Sequence, residues 1–162
     1  MTARCLLIVA FALASCRSGA TSRVVALYGG EANWSVIQAP SKVQAWRVMP
    51  PGRVRYVRAP DTVDGFEITD GPRDVDLATA RELASILAAD AIYDWERAKG
   101  CEFEPGLAVR FSDGAASVDV LFCFHCDELA AFRDGKRAGI EDFDAARDRL
   151  AALAERMFPT GK

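Results

Sequence analysis

The chain has 162 residues, 51% of them hydrophobic, and a formal net charge of -3. That length suits one domain, and that apolar content supplies a core, so disorder throughout is excluded. No basic stripe and no Lys/Arg cluster with interleaved aromatics is present, which leaves nucleic-acid binding without support.

Arg4 gives the N-terminus its positive charge, Cys5 to Leu13 form a short apolar run, and small residues follow. The run is too short to span a bilayer and has the form of a secretory signal. Its end, Leu13-Ala14-Ser15-Cys16, resembles the lipobox of bacterial lipoproteins. The resemblance implies that residues 1–15 are a signal peptide cut just before Cys16. It also implies that Cys16 carries the acyl chains, palmitate among them, and that residues 16–22 are a short tether. Ordinary signal peptidase offers competing cuts after Ala14 and after Ala20. The lipobox is preferred because the cysteine falls where the apolar run ends. Two or three acyl chains bury enough methylenes for a stable anchor. Arg17 stands where the family's inner-membrane retention signal places an Asp, so the implied destination is the outer membrane, facing the periplasm.

Residues 23–162 read as a single globular domain. Val24 to Tyr28 is expected as a first strand, and Gly29-Gly30 and Pro40 as breakers. Val43 to Met49 alternates as a strand, ended by Pro50-Pro51-Gly52, and Arg53 to Arg58 alternates as another. Phe66 to Thr69 lies between the turn dipeptides Asp64-Gly65 and Asp70-Gly71 and predicts a short strand. Asp76 is placed to cap a helix over 77–100, with Leu83, Ala84, Leu87, Ala91 and Trp95 on one face and Gly100 at its end. Two strand-like runs flank Asp113-Gly114, which predicts a hairpin. Its second run, Val118 to Phe124, is apolar nearly throughout and reads as a central strand. Leu129 to Arg133 is expected as a third strand, turning at Asp134-Gly135. A final helix carries Phe143, Ala146, Leu150, Leu153 and Met157 on one stripe and stops at Pro159. The order predicts an α+β domain: a small antiparallel sheet with two main helices on one face, in two layers.

Five cysteines are encoded. With Cys5 lost and Cys16 lipidated, Cys101, Cys123 and Cys126 remain in an oxidising compartment, where disulfides persist. Three is odd, so one disulfide and one further thiol is the minimal outcome. A hairpin turning at Gly114-Ala115 sets Cys101 opposite about residue 128, within reach of Cys126 or Cys123. The alternatives use the same residues. Cys123-Phe-His-Cys126 matches a redox CxxC in spacing, but Phe124 replaces the proline of the periplasmic oxidases, and little chain follows it. Zinc would accept Cys101, Cys123, His125 and Cys126 as a Cys3His set, although adjacent strand residues point to opposite faces. A Cys123-His125 nucleophile has nothing nearby to orient the imidazole. Asp127-Glu128 and Asp142/Asp144 read as helix caps or water-facing acids, and Trp34, Trp46 and Trp95 as core or rim.

From Tyr93 to Pro159 the chain also resembles a group of bacterial proteins. They share a cysteine before F-x-P-G, a hairpin with an apolar second strand, and C-F-x-C. The matching residues here are Cys101-Glu-Phe-Glu-Pro-Gly106, Val118 to Phe122, and Cys123-Phe-His-Cys126, with Phe158-Pro159 closing the last helix. The resemblance implies that the three cysteines form one unit and names no activity. The expectation is a lipid-anchored envelope protein, held by a disulfide from Cys101 to the Cys123/Cys126 pair, that binds a protein or small ligand. No catalytic residue and no cofactor is assigned. The alternative is a thiol-disulfide or zinc protein centred on Cys123-Cys126.

Overall fold

A computed structural model describes residues 20–51, 61–97, 99–114 and 116–159. Cys16 and the expected strand Arg53 to Arg58 lie outside these residues. The helices are α1 (Ser22–Leu27), α2 (Glu31–Gln38), α3 (Leu77–Leu87) and α4 (Arg147–Met157). The strands are β1 (Lys42–Met49), β2 (Thr62–Val63), β3 (Phe66–Asp74), β4 (Leu107–Asp113), β5 (Ala116–Cys123), β6 (Glu128–Arg133) and β7 (Lys136–Asp142). Within the described residues the strands form one curled antiparallel sheet in the order β2-β3-β1-β4-β5-β6-β7. The domain is α+β, and its seven-stranded sheet is larger than the small one expected.

The register explains the core. Ala45, Val109, Val120 and Ala131 stand opposite one another on successive strands. They share a buried cluster with Val24, Ile37, Leu83 and Leu153 from the four helices. The next row, Trp46, Ala108, Leu121 and Ala130, faces the other way. It packs with Val48, Val63 and Phe132, flanked by Phe66, Phe103 and Ile140. Both faces of the central strands are therefore apolar, and β5 is buried from Val118 through Cys123.

Several expectations change. Val24 to Tyr28 belongs to α1 and its C-cap and is not a strand: the Thr21 hydroxyl caps Val24 N–H, and Val24, Val25, Leu27 and Tyr28 all bury on the helix. The expected helix over 77–100 stops at Leu87, although Asp76 does cap it by accepting from Ala78 and Thr79 N–H. The chain then makes a 3-10 turn, Asp90–Ile92, which carries Ile92 and Tyr93 into the core. Trp95 therefore does not share a helix face with Leu83, and Gly100 caps nothing. Asp70-Gly71 is no turn: β3 runs on to Asp74, past a register shift against β1. A Cβ on Gly71 would stand 2.8 Å from Ala45 O. β5 ends at Cys123, so His125 lies in the following turn and shares no strand face with it.

Candidate functional site

The irregular segment after Tyr93 passes beside β6 and β7 and leaves a cleft of about 610 Å³. Trp95, Phe103 and Ile140 give it apolar walls, and Arg97, Lys99, Arg137 and Glu141 add charge. Glu128 and Asp142 also line it. They are directly opposed on β6 and β7, and their residues are only 7% and 2% exposed. Opposed side chains on neighbouring strands lie close together, so two like charges meet in a place poor in water. Glu128 Oε2 and Asp142 Oδ2 have no hydrogen-bond partner among the described residues.

Lys99 is the compensating charge. Its ammonium donates to Cys126 O at 2.7 Å and to Asp144 Oδ2 at 2.6 Å, and stands 3.6 Å from Asp142 Oδ2. Burial acts to lower the Lys99 pKa, but the Asp144 hydrogen bond and the charges of Asp142, Asp144 and Asp127 together raise it. Burial first, and then the charge of Asp142, pushes the Glu128 carboxyl above its ordinary range. Asp142 is raised by burial against the pull of Lys99. Glu141, beside them, is raised by burial as well.

Cys101 borders the same cleft. It forms a disulfide with Cys126, with a Cα–Cα distance of 6.1 Å across a sequence separation of 25. The bond fixes the cleft wall to the turn that follows β5. Arg147 of α4 pins that turn by donating to Phe124 O at 2.7 Å and to the Asp127 carboxylate. Asp127 O accepts from Phe143 N–H at 2.7 Å. Cys123 is free and fully buried at the end of β5, and His125 is exposed. Among the described residues no group of three or more His, Cys, Asp or Glu is arranged to hold a metal ion. No helix among them is long and apolar enough to cross a membrane. Trp34 and Trp46 are buried in the two cores, and Trp95 stands at the cleft under the Arg23 guanidinium, 5.0 Å from its ring centroid.

The opposed carboxylates are the part that the sequence reading placed wrongly, as caps or water-facing acids. A signal for them did exist. Asp134-Gly135 marks a turn, and a two-residue turn there folds residues 136–142 back on β6, with Glu128 near residue 141 or 142. A second acidic group lies on the same face of the sheet, that of Trp46, Ala108, Leu121 and Ala130. Asp119 accepts two hydrogen bonds from Arg110, at 2.7 and 2.6 Å, and Asp64 from the β2–β3 turn packs beside it. Burial, then the Asp119 charge, raises Asp64 to about 7.

No protein-family model matches the chain, and no curated protein or solved structure matches it.

Proposed function

We propose that this chain is a non-catalytic binding protein, anchored by lipid at Cys16 to the outer membrane and facing the periplasm. Its ligand, a small molecule or an envelope protein, is taken up by the cleft beside the Cys101–Cys126 disulfide. One observation carries the binding reading: two carboxylates, each more than nine-tenths buried, line an open cleft; Glu128 Oε2 has no hydrogen-bond partner among the described residues, and Asp142 Oδ2 is met only by the Lys99 ammonium, at 3.6 Å. Two buried acids that share one ammonium are costly in a structure that gains nothing from them. The scaffold is read as two layers with α3 and α4 on one sheet face, supported by the core that they share with β4 and β5. The disulfide gives the cleft wall a fixed position, which limits the ordering cost of binding.

Two measurements test this. Labelled palmitate should enter the wild-type chain and not Cys16→Ser, and only the former should fractionate with outer membrane. A photoreactive residue at Ile140, on the cleft wall, should capture a partner or small ligand in the envelope, whereas one at exposed Glu31 should not. Equal capture at the two positions would sink the binding reading.

A further inference from the structure

We infer that the cleft takes a primary ammonium group carried on an apolar body, with Glu128 and Asp142 as its counter-charges. This rests on the binding reading above and names the class of ligand. The protein already holds such a group there. Lys99 reaches the acidic end of the cleft from the chain segment before Cys101, and its ammonium is met by a backbone carbonyl and by Asp144, with Asp142 at 3.6 Å. That one ammonium leaves Glu128 Oε2 without a hydrogen-bond partner among the described residues, and it meets Asp142 Oδ2 only as an ion pair. An ammonium brings three donors and no acceptor, which matches the carboxylate oxygens of Glu128 and Asp142. An anionic head at this end would be repelled by both acids, and its counter-charges would have to be Arg97 and Arg137 elsewhere on the lining. A neutral hydroxyl would add nothing to the single positive charge of Lys99 against two acids. The walls fit the rest of the molecule. Trp95 and Phe103 offer aromatic surface to an apolar body, and an ammonium near an aromatic face gains further attraction.

Lys99 then acts as a resident competitor. Removing its charge should strengthen binding of an external amine, whereas removing either acid should weaken it. A charge-assisted hydrogen bond is lost in the second case, which corresponds to about tenfold or more in affinity.

The test uses the full exported chain, labelled with nitrogen-15 in mild detergent, and follows the Trp95 indole N–H signal, assigned through Trp95→Phe. Benzylamine is the probe, with benzyl alcohol and phenylacetate as its neutral and anionic counterparts. The expected result is a saturable shift with benzylamine alone. Glu128→Gln should weaken it about tenfold or more, and Lys99→Met should tighten it severalfold. If Glu128→Gln fails to fold, Asp142→Asn serves the same purpose. If benzyl alcohol or phenylacetate binds as well as benzylamine, the cleft is a binding site and the ammonium assignment is wrong. If Glu128→Gln and Asp142→Asn both bind benzylamine as wild type does, the carboxylates are not its counter-charges. If none of the three probes shifts the signal, the binding reading of the cleft falls with the inference.

Discussion

A chain of two hydroxyls lies at the centre of the helical core. Tyr93 donates to Leu87 O at 2.7 Å, so it accepts from Tyr28 at 2.8 Å. The two residues are unequal for that reason. Tyr93→Phe strands both the Tyr28 hydroxyl and the Leu87 carbonyl, and should cost about 2 kcal/mol. Tyr28→Phe leaves the Leu87 bond in place and should cost about 1 kcal/mol or less. Urea unfolding of the two variants would show equal losses if this order of donation were wrong. Gly139 is a second such point, because a Cβ there would stand 2.5 Å from Leu27 O. Backbone cannot yield as a flexible side chain does, so Gly139→Ala should push α1 off β7 and cost about 1–3 kcal/mol. A thermal melt unchanged from wild type would refute it. Asp64 gives a pH dependence. An unfolded Asp titrates near 4, whereas Asp64 in the folded chain is raised to about 7, by burial and then by the Asp119 charge. Between those values the folded chain holds a proton that the unfolded chain has lost, so stability falls as pH rises through this window. Asp64→Asn should remove that loss and gain on the order of 1 kcal/mol at pH 8, discounted because the carboxyl is half-exposed. Denaturation curves at pH 5 and pH 8 would decide it, and a gain of the same size at both would contradict the assignment.

At the scale of elements, the β4–β5 hairpin shows what the sequence could predict. Asp113-Gly114 marked the turn, and the pairs Leu107–Phe122 and Asp113–Ala116 follow the register expected from a turn at Gly114-Ala115. The stripe of the last helix was readable in part: Leu150, Leu153 and Met157 are buried on α4, whereas Phe143 and Ala146 are buried ahead of it, at the 3-10 turn Asp144–Ala146. Three other elements were missed, each for a physical reason. The run VVALY in α1 has β-branched residues that favour a strand, but packing on β7 and a Thr21 cap override that weak preference. The alanines after Leu87 carry no stop signal, so nothing local announced the 3-10 turn. β7 reads KRAGIED, a charged edge strand with little alternation, and missing it hid the Glu128–Asp142 pair. The Cys101–Cys126 bond is one of the two pairings that the predicted hairpin left open, and its worth can be measured. In the chain-entropy account, closing a loop of this length stabilises by about 3 kcal/mol. Replacing both cysteines by serine should therefore lower stability by about that amount, read by urea unfolding. The thiol count gives an independent check. Denatured without reductant, the exported Cys16→Ser chain should take up one alkylating group, at Cys123. Labelling of all three cysteines would mean that the bond does not form in the cell.

On the scale of the whole molecule, the two apolar faces of the sheet make β1, β4 and β5 the centre, while β2 and β7 are the outermost of the described strands. Cys101 lies just before β4, and Cys126 just after β5. The disulfide therefore turns these two central strands into a covalent ring. The exposed tip of that ring, Asp113-Gly114, is a natural point for a protease to enter. A single nick there would divide the backbone without dividing the molecule. Each fragment would keep one central strand and one half of the bond. The cut protein should run as one species until reductant is added, and as two thereafter.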